Sequence, residues 1–283
     1  MGTSLQRLFR RLDETKLGNI QVWDFCFRSL FREYAWFFFL KAVIAHPLKA
    51  KRGLRRYRRF IRGQKQPAPE YTRFLYMPDE AIFLQRALAR KSRPLVGLGF
   101  CLKPVNPEDP SQSCPSGRAN HDCLYFERGE ARPICAECAI REIGFLARET
   151  GCPVYIMTSA KDIARDFLLP QISRGSFPTA ILILCPYSVQ AILLPLLSCG
   201  VEMLLLSYAS GSCADYEQWL KADRGIKDER TTIDAESRLR LFGFLKHLKD
   251  EGVGETQNRR NHRFRRSGNI YYPAGHHLQR RTK

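Results

Sequence analysis

The 283-residue sequence lacks any apolar stretch long enough to cross a bilayer, for which about 20 residues are needed. Its most apolar uncharged run, Tyr34 to Leu40, ends at Lys41. Met1 to Leu17 is charged and holds no apolar segment of the kind that opens a secretory signal. Gln6 stands where a myristoylation signal carries Ser or Thr. The expectation is a cytoplasmic protein, in which disulfides are disfavoured. Neither a P-loop nor G-x-G-x-x-G occurs, so nucleotide binding has no direct support. A paired CxxC…CxxC of the zinc-ribbon type is missing too: the chain has one CxxC, Cys135 to Cys138.

Positive charge is abundant, and its placement is informative. The net charge is +18. Residues 1–66 carry +12, residues 254–283 carry +7, and residues 67–253 carry −1. This division, with a polar, Pro-containing linker at residues 63–70, predicts three parts. They are a basic amphipathic helical region (1–66), a near-neutral cysteine-rich domain (67–253) and a basic tail (254–283). The tail has no apolar period and reads as disordered.

Residues 20–46 crowd aromatic and aliphatic side chains, with Asp24, Arg28 and Arg32 four apart, and read as a helix. A second, polybasic helix follows Pro47 over residues 49–62. Together, residues 20–62 match a segment lying on an anionic membrane surface. They match equally a helical hairpin packed on the main domain. Further on, four short Val/Ile/Leu-rich runs (94–100, 153–157, 180–184 and 201–207) alternate with helical stretches (139–150, 161–171 and 189–199). A helix is also expected over 79–91, and a last one over 232–250. The alternation predicts an α/β fold, with an open, mostly parallel sheet and flanking helices.

Nine of the ten cysteines lie between Cys101 and Cys213. Cys101, Cys185 and Cys213 each follow one of the proposed strands. Ligands of open parallel sheets bind outside the carboxyl ends of the strands. The long insertion after the first strand adds Cys114, Cys123 and the Cys135/Cys138 pair, which opens a helix whose N-terminus favours thiolate. Thiolates suit Zn²⁺ and iron–sulfur clusters. Cys101, Cys114, Cys123, Cys135, Cys138, Cys185 and Cys213 are therefore candidate ligands, with Cys101, Cys114, Cys135 and Cys138 foremost. Reversible CxxC redox chemistry and inert thiols are the alternatives. Cys26, Cys152 and Cys199 read as core packing. Thr158 and Ser159 after the second strand, and Gly211 and Ser212 after the fourth, are candidate ligand-contacting positions. Capping of the next helix is the competing role for that second loop. His121 and Asp122 are weaker candidates for ligand or acid–base work.

Several of these runs resemble the domain-of-unknown-function 116 family. They are Gly99-Phe100-Cys101-Leu102-Lys103, the Cys114 loop, Cys135-Ala136-Glu137-Cys138 running on to Gly144, the strand ending at Ile156, and Ile183-Leu184-Cys185-Pro186-Tyr187. The resemblance covers about residues 94–215. It implies a prokaryotic protein with a membrane-proximal N-terminal region, a cysteine-rich α/β domain and a metal or iron–sulfur site, but no known reaction. The insertion over 106–132 and the lack of a further cysteine pair near Cys138 depart from the family pattern.

The leading expectation is thus a metal- or iron–sulfur-binding α/β protein at a membrane surface. One alternative is a nucleic-acid-binding protein using its basic ends, with Phe264, Tyr271 and Tyr272 stacking on bases. Another is a membrane-surface adaptor with a structural zinc site.

Overall fold

The computed structural model describes residues 4–13, 21–63, 74–77, 80–89, 93–250 and 264–273. The four apolar runs form strands β2 (Leu95–Gly99), β3 (Val154–Met157), β4 (Thr179–Leu184) and β5 (Glu202–Ser207), beyond an edge strand β1 (Phe74–Met77). β2 to β5 pair in parallel in the order β5-β4-β2-β3. Both faces of these strands are covered, which is why they read as continuous apolar runs rather than alternating ones.

β1 pairs antiparallel with β5. At the opposite edge a hairpin of β6 (Phe264–Ser267) and β7 (Ile270–Pro273) pairs antiparallel with β3. The sheet therefore has seven strands. The hairpin corrects the expectation of a wholly disordered tail. Gly268 takes φ +59° in the turn, and Tyr271 is fully buried between Phe126 and Phe264. Partners remote in sequence supply the apolar surface that the tail's composition lacks. The rest of the tail lies outside the described residues.

Helices α5 (Glu80–Ala89), α7 (Ala139–Glu149) and α12 (Ala235–Asp250) cover one face. There Val96, Leu98, Ile156, Ile181 and Ile183 pack with Ile143 and Leu245. The other face carries α8 (Ala160–Ile163), a π-helical turn, α9 (Leu169–Arg174) and α10 (Pro186–Cys199). On that side Leu95, Tyr155 and Leu182 meet Phe167, Ile172 and Leu196. Two shorter helices, α6 (Leu124–Arg128) and α11 (Tyr216–Asp223), flank the carboxyl ends of the strands.

The N-terminal region is α1 (Ser4–Asp13), α2 (Val22–Ser29), α3 (Glu33–Phe38) continuing into a π-helical turn (Phe39–Ile44), and α4 (Pro47–Gly63). The single helix expected over 20–46 is thus broken at Leu30–Arg32, where Arg32 is extended. The break lets rings from both sides reach one anchor: Phe25 of α2 and Tyr34 of α3 pack edge-on against Trp219, with centroids 4.9 and 5.6 Å away. α4 lies on α10 and buries Ala50, Tyr57 and Phe60 while its basic residues face outward. Gly53 lets the two backbones touch, since a Cβ there would stand 2.1 Å from Ser198 Cα.

The contact at Gly53 is therefore a sensitive point of the assembly. Gly53→Val pushes backbone against backbone, which no rotamer change relieves, and should cost about 1–3 kcal/mol. Thermal melting of the variant checks this, with Arg52→Ala as an exposed control on the same helix.

Candidate functional site

The seven candidate cysteines do not form one site; they divide into a quartet and a trio. Cys114, Cys123, Cys135 and Cys138 line one small hollow with Lys103 and Arg141. Cys101, Cys185 and Cys213 lie together at the carboxyl edge of the sheet, lining a larger cavity. Cys101, expected among the foremost metal ligands, therefore belongs to the second group. The chain turns between Cys101 and Lys103 in a 3-10 segment, Phe100–Leu102, which sends the two neighbours to different places.

The quartet is built by a buried cation. Lys103 is 1% exposed. Its ammonium donates to Gly117 O (2.9 Å), Asn120 O (3.0 Å), Asn120 Oδ1 (2.6 Å) and Asp122 O (2.8 Å). Those four acceptors fold the insertion back on itself and bring Cys114 and Cys123 to the hollow. Cys123 is the N-cap residue of α6, and the nearby Phe126 N–H favours its ionised form. Cys138 is the N-cap residue of α7, and the nearby Arg141 and Ile140 N–H groups favour its ionised form. Burial pushes the Cys123 thiol up to about 12 and raises Cys138 as well, against the pull of these amides. Burial lowers the Lys103 pKa, and the surrounding thiolates and Asp122 would favour its charged form. The C-terminal hairpin closes the far side: the Cys123 N–H donates to Tyr271 Oη (3.1 Å), and Tyr271 Oη donates to His121 O (3.0 Å). Arg266 joins Asp122 and Glu127 at 2.6 Å each.

The donor set fits a soft metal. Four thiols from three chain segments converge, and helix-terminal amides are available to their sulfurs. The hollow holds about 20 Å³, room for about one water-sized sphere. No three of the described cysteine sulfurs lie within 4.8 Å of one another. A closed zinc tetrahedron with Zn–S bonds near ~2.3 Å sets sulfurs about 3.8 Å apart, closer than any three of these stand.

At the strand edge, Cys185 caps α10. Its sulfur accepts from the Ser188 N–H (3.2 Å) and lies 3.0 Å from Ser188 Oγ, which in turn accepts from Trp219 Nε1 (3.2 Å). Hydrogen bonding, led by Cys213, holds the Cys185 thiol well below its ordinary range and pushes Cys213 up. Burial raises Cys101 to about 11. The remaining cysteines are packed away: Cys152 and Cys199 are buried, and burial raises Cys26, Cys152 and Cys199 to about 12, 11 and 12.

The loop candidates have local duties. Thr158 and Ser159 hydroxyls donate to Asp162 Oδ2 (2.7 and 2.8 Å), and Ser159 caps α8. At Gly211 (φ +68°) a Cβ would stand 2.4 Å from Arg230 O, so the position admits close approach of neighbouring backbone. Ser212 Oγ is buried without a partner. His121, Asp162 and Asp166 bring potential ligand atoms within 4.8 Å of one another, but their polar atoms are engaged. His121 Nδ1 is 2.7 Å from Ile156 O and Nε2 is 3.2 Å from Thr158 Oγ1, while Asp166 accepts from Arg165 and Asn269. Of the tail rings expected to stack on bases, Phe264 and Tyr271 are buried and Tyr272 is half-buried.

In the sequence Lys103 stands out only within the run over 99–103 and Tyr271 only as a base-stacking ring; no local signal ties either to the cysteine quartet.

Two outcomes follow from this geometry. Lys103→Met strands four carbonyl acceptors and should cost about 3 kcal/mol or more, loosening the insertion before the sheet melts; hydrogen exchange of residues 114–123 measures this. Separately, Asp162 and Asp166 are held below the usual carboxylate range. Burial opposes their ionisation, but hydrogen bonds from Thr158 and Ser159 to Asp162, and from Arg165 and Asn269 to Asp166, outweigh it. The stability they contribute is full above about pH 4 and lost as pH falls through their lowered folded values. Melting curves of Asp162→Asn should therefore show a shallower acid loss than the native chain.

No family model, curated protein or solved structure matches this chain.

Proposed function

We propose that the chain is a metal-binding α/β protein whose ion is held by Cys114, Cys123, Cys135 and Cys138. The convergence of these four thiols on one hollow beside the buried Lys103 ammonium carries the reading. A hollow sized for one small sphere favours a single ion over a cluster, and four thiolates favour Zn²⁺. A bound dication with four thiolates leaves two negative charges, which Lys103 and the adjacent Arg141 offset. Such a site staples the insertion to the sheet, and its binding energy becomes folding energy.

Metal analysis of anaerobically purified protein tests this. About one zinc per chain with no visible absorption is expected; broad visible absorption would assign an iron–sulfur cluster instead. Cys135→Ser/Cys138→Ser should lose the metal and lower the melting temperature, while Cys101→Ser/Cys185→Ser/Cys213→Ser should keep it. Full retention in the first variant, or loss only in the second, overturns the assignment.

Peripheral attachment to an anionic membrane is a second reading with its own observation. Leu5, Leu8 and Leu12 share one exposed face of α1, beside Arg7, Arg10 and Arg11. Phe31 (91% exposed), Trp36 and Leu40 extend the exposed apolar set. Among the described residues no helix is long and apolar enough to cross a membrane; a surface-lying helix needs only such a face. Cosedimentation with phosphatidylserine vesicles is expected to survive partly in high salt. Leu5→Ser/Leu8→Ser/Leu12→Ser should remove the salt-resistant part; an unchanged profile in that variant sinks this reading.

A further inference from the structure

The strand-edge cavity is separate from the cysteine quartet and is built differently. It measures about 430 Å³, inside the ~300–1,000 Å³ range of small-molecule sites. It lies where β2 and β4 part company in chain order, the switch point at which open parallel sheets bind ligands. Helices α2 and α3 roof it, Leu168 and Ile192 wall it, and its lining is overwhelmingly apolar. Trp36 and Phe39 belong to that lining and are also 49% and 43% exposed, so the cavity opens past them.

Its inner end is polar and incompletely satisfied. The Lys227 side chain is 8% exposed. Its ammonium has a long contact to Cys213 Sγ (3.9 Å) and another to the exposed Glu229 carboxylate (3.9 Å). Thr231, 2% exposed and also lining the cavity, has a buried Oγ1 with no hydrogen-bond partner. Close by, Arg118 Nη2 holds Cys101 O at 3.3 Å while its buried Nε donates to nothing. Cys185 Sγ takes contacts from Ser188, at 3.2 Å from the N–H and 3.0 Å from Oγ. A buried cation with contacts no shorter than 3.9 Å and a buried hydroxyl with no partner, both lining an apolar cavity, call for an anionic group.

We propose that this cavity binds a single-chain anionic amphiphile. Its carboxylate or phosphate head sits on Lys227 and Thr231, and its hydrocarbon chain runs toward the mouth at Trp36 and Phe39. Head-first entry satisfies the orphaned donors, and the chain covers apolar surface that water now meets.

Trp36 and Trp219 both line the cavity, so intrinsic fluorescence of the full-length protein reports on its filling. Titrations with dodecanoate, dodecyl phosphate and dodecanol compare head groups at fixed chain length. Saturable, one-to-one binding of at least one anion is expected, roughly tenfold or more tighter than the alcohol, the effect of one charge-assisted hydrogen bond. Whichever anion binds better identifies the head. Lys227→Met should erase the preference of anion over alcohol while leaving alcohol binding unchanged, and Lys227→Arg should restore it; circular dichroism verifies that both variants fold. Equal binding of anion and alcohol to the native chain, no saturable response, or a preference that persists in folded Lys227→Met overturns the proposal. None of these readouts depends on metal at the quartet.

Discussion

A single buried ammonium holds the functional half of this molecule together. Lys103 is taken out of water entirely, which is costly unless every proton finds an acceptor. Three carbonyls and one amide oxygen of the insertion provide them. The same demand that fixes the loop also fixes Cys114 and Cys123, and places a positive charge beside the hollow that all four quartet cysteines line. Charge and geometry come from one side chain.

Two sites of different character arise within three residues of chain. Cys101 stays at the end of β2 and faces an apolar cavity; Lys103 turns back under the insertion. The quartet is tight and rich in sulfur, a place for a small soft ion. The trio is the polar floor of a roomy apolar chamber, where Cys185 caps a helix and its sulfur accepts from the Ser188 N–H. We propose the first as a structural metal site and the second as a ligand chamber.

The described parts of the two basic ends pack against the core. α4 turns its few apolar residues onto α10 and leaves its guanidinium groups in water, an arrangement that lets a strongly charged helix pack. The C-terminal hairpin completes an open sheet edge, and its Tyr271 and Arg266 clamp the loop that carries Cys123. Net charge therefore describes the solvent-facing side of these segments and says little about their buried side.

The α/β class and the four parallel strands were legible because buried strands require uninterrupted Val, Ile and Leu, a signal local to each run. The helices between them were legible for the same reason, as was the gathering of cysteines after strand ends. Local signals cannot report what distant segments supply. The grouping of Cys101 with Cys185 and Cys213, and of Cys123 with Cys114, Cys135 and Cys138, depends on strand order and on four oxygens brought to Lys103 from 14 to 19 residues away. The break in the aromatic helix depends on Trp219, and the order of β6 and β7 depends on the free edge of β3. Composition and periodicity alone determined which segments could be buried. Tertiary structure decided which of them met, because pairing, charge burial and ring packing are settled between residues far apart in the chain.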